Sequence, residues 1–358
     1  MTVVRERHED HGAAFRDVAG RAFPEQYGRP ERAHRAVRNV VGVTEHAFDV
    51  LVVAGEDRRE FVDDTVTNRV PDADGEGVYA LLLDSQGRVR LDCYVFATSD
   101  TLLLFLPAGT GEDLADEWSE RTFVQDVEIE YATDDFGVFG VHGPNATEKI
   151  ASVLHNASPS EDPLTFVRGE MEAGVTVIRD DNLAGEEGYL VVCAAEDADP
   201  VFETLLVRGL NAAPFGRQTW ETLTLEAGTP LYETELEGQI PNVLGLRNAV
   251  DFEKGCFVGQ EVVSKVENRG QPSSRLVGLA PDALPEAGAT VSDAGKPIGE
   301  VTRAAVSPVL DEPVALATVE WEAGDSLAVE TANGFVDAPV ADLPFVEGSE
   351  QSARLPKY

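Results

Sequence analysis

Apolar residues in this chain come in runs no longer than a core strand or one face of a helix, and this restricts the fold more than any other feature. The longest runs, such as Leu102 to Pro107, fall far short of the roughly eighteen apolar residues that a bilayer span requires. The first thirty residues, with Arg5, Glu6, Arg7, His8, Glu9 and Asp10, lack the apolar centre of a secretory leader. The expectation is a globular protein of the cytoplasm with no membrane association. At 358 residues and 43% apolar, the chain is too long for one ordinary domain and suits two or three.

The spacing of the runs gives the layers. Val78 to Leu83, Val89 to Ala97 and Leu102 to Leu106 are separated by turn signals at Asp84-Ser85-Gln86-Gly87 and Thr98-Ser99-Asp100, a meander at hairpin spacing. Before it, Ala13, Ala14, Phe15 and Val18 read as the apolar face of a helix, and Pro30 opens a second helix through Val37. A short strand is expected from Asp49 to Val53 and a helix from Gly55 to Asp64. After strand-like Phe136 to His142, Gly143-Pro144-Asn145 leads into a helical stretch, Ala146 to Leu154, where a new unit begins. Val175 to Arg179, Tyr189 to Cys193 and helix-like Pro200 to Leu210 continue an alternation that predicts α+β layers. Beyond Pro272 the pattern is almost wholly strand-like, which predicts a small β-barrel or sandwich.

Sixty-five acids face 28 bases, for a formal charge of -37, and only five of the bases are lysine. The acids recur in almost every block of ten, so the charge belongs to the whole surface and not to a partner-binding tail. Such self-repulsion is screened at molar salt, where the Debye length is about 3 Å. The composition therefore points to adaptation to a salty cytoplasm, in preference to an acidic-partner function. It also excludes duplex nucleic acid, whose phosphates demand a basic face.

Three cysteines, Cys93, Cys193 and Cys256, are far apart with no CxxC pair, which supports neither a disulfide framework nor a zinc site. At most one carries chemistry. Two of the five lysines fall in the segment Asp251-Phe252-Glu253-Lys254-Gly255-Cys256-Phe257-Val258-Gly259-Gln260-Glu261 and its continuation to Lys265. Glycines there permit tight turns and close approach to a ligand, and a flanking lysine can favour a reactive thiolate. The same residues equally fit a buried cysteine at a loop corner ahead of a helix.

The run Lys254-Gly255-Cys256-Phe257-Val258-Gly259-Gln260-Glu261 resembles the K-G-C-[FY]-x-G-Q-E signature of YgfZ-type folate-binding proteins, relatives of the aminomethyltransferase T-protein of glycine cleavage (GcvT). Trp220 followed by Glu226-Ala227-Gly228-Thr229-Pro230 resembles the W-x5-E-A-G-x-P element of the same branch. His11-Gly12-Ala13 and Tyr27-Gly28 resemble the T-protein opening, and Gly299-Glu300-Val301-Thr302-Arg303 its terminal barrel. The resemblance covers nearly the whole chain. It implies a three-domain cloverleaf, two α+β domains and a C-terminal β-barrel around a central folate cavity. The expected boundaries are 1–135 with 224–270 for a discontinuous folate-binding domain, 136–223 for a ferredoxin-like second domain and 272–350 for the barrel.

The resemblance also assigns residues. In T-proteins the strand that here begins Arg90-Leu91-Asp92 opens with two aspartates, one of which assists folate chemistry; only Asp92 remains. Asp92 beside a turn also fits a capping role. Glu186 falls in a segment similar to the T-protein G-E-x-G-[FY]-E motif that holds the pterin edge, whose last Glu is Leu190 here. Trp220 stands where T-proteins carry an arginine, and either stacks on a ring or packs in the core. Tyr79, Asp92, Glu186, Trp220, Gly255, Gly259 and Gln260 are thereby assigned to folate binding, and Cys256, Asp92 and Lys254 to chemistry. The implied ligand is tetrahydrofolate or a derivative, with no stably bound metal. The function that the resemblance implies first is an accessory factor in iron-sulfur cluster assembly or repair acting through Cys256; the alternatives are a folate-dependent aminomethyltransferase acting through Asp92 and a non-catalytic folate-binding module. The first implies iron-sulfur proteins as partners, the second an aminomethylated lipoyl carrier.

Overall fold

The computed structural model describes residues 2–122 and 124–358. A five-stranded antiparallel sheet runs in the spatial order Glu76–Leu83, Val89–Ala97, Leu102–Pro107, Phe48–Ala54 and Glu128–Tyr131. Side chains alternate along a strand, and this divides Val89–Ala97 between two cores. Leu91, Cys93 and Val95 pack with Phe61, Leu114 and Trp118 of the helices Arg58–Thr65 and Gly111–Ser119. Tyr94 and Phe96 enter the opposite core, shared with Ile178 and Leu190 of a second sheet and Leu316 of the barrel. Asp92, two residues before Tyr94, lies on that shared face.

The second sheet has six strands in the order Phe166–Glu170, Gly174–Arg179, Gly188–Ala194, Phe136–His142, Gly42–Glu45 and Ala213–Pro214. Ile150 and Phe202 of helices Ala146–Val153 and Ala198–Val207 pack into its core. The strand Gly42–Glu45 comes from the N-terminal segment that the expected boundaries give to the first unit. Its four residues are all buried, and Glu45 to Phe48 carries the chain from one sheet to the other. The third unit is a closed six-stranded barrel, sealed where Gly278 pairs with Ala341. The architecture is therefore α+β with a terminal barrel, and the barrel, not a sandwich, is the form its last strands take.

One expectation is overturned. Ala14–Val18 is a strand, not part of a helix, and pairs with Arg21–Gln26. The i, i+3 spacing of Phe15 and Val18 imitates a helix face, but Ala19 and Gly20 between the strands both have positive φ, 52° and 79°. That is the geometry of a two-residue hairpin turn. The first helix lies upstream, at Arg5–Asp10.

Buried charges tie the units together. Glu226, fully buried, accepts hydrogen bonds from His34 Nε2 (2.8 Å), Arg38 Nη2 (2.8 Å) and Ser307 Oγ of the barrel (2.6 Å). Burial alone would raise its carboxyl pKa, but His34, Arg38 and Ser307 hold it below the usual range. Arg303 of the barrel donates to Thr229 O (2.6 Å) and Thr224 Oγ1 (2.8 Å). Past the barrel, the chain re-enters the centre: Ala353 N donates to Asp181 O (3.0 Å), and Tyr358 OH to Val243 O (2.7 Å).

Candidate functional site

A cleft of about 120 Å³ opens where Glu45 to Phe48 passes between the two sheets. Phe48, Tyr94 and Phe105 line it from the first sheet, Arg217 and Trp220 from the helix Arg217–Glu226, and Asp92 and Arg354 lie in its wall. Sites that enclose a whole drug-sized ligand measure about 300–1,000 Å³. The cleft thus takes one ring-sized end of a long ligand and leaves the remainder at its open mouth.

Asp92 is 7% exposed. Its Oδ2 accepts from Tyr79 OH (3.1 Å) and Arg354 Nη1 (2.8 Å). Both contacts use one oxygen, and among the described residues Oδ1 has no hydrogen-bond partner, so this wall residue keeps an acceptor for a ligand in the cleft. Arg354 lies 3.8 Å over the Tyr79 ring and donates through Nη2 to Tyr94 OH (2.5 Å), which donates in turn to Asp181 Oδ1 (2.7 Å). Arg354 Nε and Asp181 Oδ2, 3.6 Å apart, are buried without a hydrogen-bond partner among the described residues. One guanidinium therefore faces two carboxylates. Burial raises the pKa of Tyr79, Tyr94 and Asp181, with Arg354 opposing the rise in each. Both phenols stay protonated and serve as donors. A carboxylate with one oxygen clamped and the other open can accept a hydrogen bond from a ligand amine and stabilise positive charge as it develops.

Of the other residues singled out in the sequence, Trp220 lines the cleft and also packs edge-on against His46, with ring centroids 4.8 Å apart. It is both wall and packing. Tyr79 reaches the site through Asp92. Glu186 does not line the cleft. It is 2% exposed and accepts from Arg38 Nη1 (2.9 Å), Ser349 N (2.9 Å) and Ser349 Oγ (2.6 Å). Its carboxylate joins the helix Pro30–Asn39 to the segment behind the barrel.

Cys256 is exposed on a loop outside the cleft. Lys254 turns inward, and its Nζ donates to the carbonyls of Asp63, Val66 (3.0 Å) and Asn68 (2.8 Å) and pairs with Asp63 Oδ2 (3.2 Å). Burial lowers its pKa and Asp63 opposes the shift. The ammonium is committed to backbone on the first sheet's side, and among the described residues no hydrogen bond joins it to Cys256. Gly259, at φ 80°, closes the loop: a Cβ there would sit 2.6 Å from Asp84 O and 2.9 Å from Gly87 Cα. Gln260 Nε2 donates to Lys254 O (3.3 Å), whereas a Cβ on Gly255 would meet nothing within 4 Å among the described residues. These residues shape the loop and leave the cleft to others.

Sequence reasoning missed Tyr94, Asp181, Arg354 and His46. Period-2 alternation from Asp92 identifies Tyr94 as its neighbour on the same face. No local pattern identifies Arg354, which arrives from beyond the barrel. Among the described residues no group of three or more His, Cys, Asp or Glu could hold a metal ion, and no helix is long and apolar enough to cross a membrane.

Residues 4–254 match the family described as the GCVT N-terminal domain, and residues 275–347 match the glycine cleavage T-protein C-terminal barrel domain. The chain is 30% identical to an aminomethyltransferase of Cutibacterium acnes over 96% of its own length and 97% of the relative's. It is 31% identical to an aminomethyltransferase of Listeria innocua, again over 96% and 97%. Among solved structures, aminomethyltransferase T of the Bartonella henselae glycine cleavage system superposes with a TM-score of 0.86 over 97% of this chain and 98% of that one, at 23% identity.

Proposed function

We propose, from the premise that this chain belongs to the glycine cleavage T-protein family, that it binds a reduced folate in the cleft and transfers an aminomethyl-derived one-carbon unit there. The observation that carries this reading is Asp92, with one oxygen clamped by Tyr79 and Arg354 and the other left to a cleft walled by Phe48, Tyr94 and Trp220. Aromatic walls suit a flat heterocycle, and a buried carboxylate suits its N–H edge, so the residues present fit the ligand. A bound reduced folate supplies the nitrogens that receive the one-carbon unit. Asp92 orients an N–H at Oδ1 and stabilises positive charge beside it. Arg354 and Tyr79 hold Asp92 in one rotamer, and the aromatic walls exclude water. The matching donor is an aminomethylated lipoyl carrier, from which ammonia is released. The dispersed charge of -37 is suited to work at molar salt.

A second reading has its own observation. Cys256 is exposed at the tip of a loop that Lys254 and Gly259 anchor, within the K-G-C-F-V-G-Q-E run. This suits a YgfZ-type accessory factor that meets iron-sulfur proteins at its surface, with Lys254 as an anchor rather than an activator.

Tetrahydrofolate-dependent ammonia release from an aminomethylated lipoyl carrier in molar KCl tests the first reading. Wild type should release ammonia and Asp92→Asn should not; equal release by both would sink the role of Asp92. If wild type releases none, and Cys256→Ala fails to restore iron-sulfur enzymes in cells lacking the gene where wild type succeeds, the second reading replaces the first.

A further inference from the structure

A second buried polar chain runs behind the cleft wall, on the side of Trp220, and reaches the cleft at His46. Asp180 Oδ2 lies 3.3 Å from His142 Nδ1, an electrostatic contact without hydrogen-bond alignment, and His142 Nε2 is hydrogen-bonded to His46 Nε2 at 3.2 Å. His142 is 1% exposed and Asp180 5%; His46 lines the cleft. The two imidazoles meet directly over Gly140, where a Cβ would come within 2.3 Å of His46 Nε2 and 2.4 Å of His142 Nε2. Only glycine leaves room for the pair.

Proton placement follows from what each atom can do. Asp180 Oδ2 is the acceptor beside His142 Nδ1, and a carboxylate there favours the tautomer that carries its proton on that nitrogen. Neutral His142 then has a lone pair on Nε2, and two facing nitrogens share one proton, so His46 Nε2–H is the donor. This leaves His46 Nδ1 as a lone pair, with no donor from the protein among the described residues. The charged and titratable groups around His46 are His142, Arg217, the neighbouring Glu45, which is bonded to His8 Nε2 (2.7 Å), and Asp180 through His142. Burial, His142 and Arg217 together lower the His46 pKa well below its ordinary value. It stays neutral at working pH.

The geometry points to His46 Nδ1 as a ligand contact that, with Asp92 Oδ1, makes the cleft a two-acceptor site selective for a heterocycle in its reduced, N–H-bearing state. This rests on the folate reading of the cleft. A tetrahydropterin carries N–H at ring nitrogens that are bare lone pairs in the oxidised ring, so the oxidised form would set lone pair against lone pair and leave buried acceptors unpaired. His142 and Asp180 are positioning residues that hold His46 in the accepting tautomer.

Two measurements test this in molar KCl. Long-range nitrogen–proton NMR of the six histidines, with His46→Phe to assign the signal, should show His46 protonated at Nε2 and bare at Nδ1. Titration should show tetrahydrofolate binding at least roughly tenfold tighter than folic acid to wild type, a ratio that His46→Phe brings down to about threefold or less by loss of tetrahydrofolate affinity. Asp180→Asn should weaken the ratio and move the His46 proton. A His46 found protonated at Nδ1 overturns the proposal, also if His46→Phe fails to fold. So does an undiminished ratio in a folded His46→Phe, or equal wild-type binding of both forms, and each leaves the folate reading intact. A wild type that binds neither form overturns that reading and the ligand assignment with it.

Discussion

The loop at Cys256 and the cleft at Asp92 differ in how sequence and structure mark them. The loop is conspicuous in the sequence, where two rare lysines flank a cysteine set between glycines, yet in space it is a surface turn whose Lys254 is spent on backbone carbonyls. The cleft is faint in the sequence, one aspartate on one strand, yet it gathers Tyr79, Tyr94, Asp181 and Arg354 into a buried network. A dense motif can mark the anchoring of a loop, whereas a reacting centre draws its residues from segments that no single motif spans.

The largest difference between cleft and loop is expected at Asp92. Asp92→Asn keeps the shape and removes the charge, and a carboxylate that steers protons is worth roughly 100- to 10,000-fold in rate. Single-turnover ammonia release should fall by that much while the melting profile stays cooperative. Arg354→Ala should have the largest effect on stability. It strands Asp92 and Asp181, two buried carboxylates, without their cation, and loss of one partner from a buried pair costs about 3–5 kcal/mol. Urea denaturation at molar salt measures it.

Lys254→Met tests the loop as an anchor. Leaving the carbonyls of Asp63, Val66 and Asn68 without their donor should cost about 1–3 kcal/mol, with little change in folate affinity. The loss should also depend on pH. The folded-state pKa of Lys254 lies below its ordinary 10.5, so between the two values the unfolded chain binds more protons and stability rises with pH. The advantage of wild type over Lys254→Met should therefore grow as pH climbs toward 10.5; a constant or shrinking advantage would contradict the buried, desolvated lysine. The smallest effect belongs to Cys256→Ser, an exposed change expected to shift stability by under about 0.5 kcal/mol.

Much of the fold was legible because it is written locally. Strand lengths, the turn at Asp84 to Gly87 and the strand-rich C-terminal region all follow from short-range patterns. What the pattern misassigned or omitted depends on tertiary context. Phe15 and Val18 carry helical spacing, but Ala19-Gly20 turns the chain back on itself. Gly42–Glu45 is too short to register as a strand and is fixed by its neighbours Phe136–His142 and Ala213–Pro214. The helix Gly111–Ser119, with acids throughout, is held by Leu114 and Trp118 against a core assembled from other segments. At the site, Asp92 was readable from its place in a familiar strand. Arg354 was not, because 262 positions separate it from the carboxylate it clamps, and neither was the His46–His142 pair, which a glycine at 140 makes possible.

The central claim is that ligand chemistry belongs to the cleft and not to the loop. Calorimetric titration of tetrahydrofolate in molar KCl into wild type, Asp92→Asn and Cys256→Ser tests it most directly. Wild type should bind, Asp92→Asn should bind at least roughly tenfold more weakly for want of a charged acceptor, and Cys256→Ser should match wild type within about twofold. Full affinity in Asp92→Asn together with lost affinity in Cys256→Ser would contradict the account and move the site to the loop.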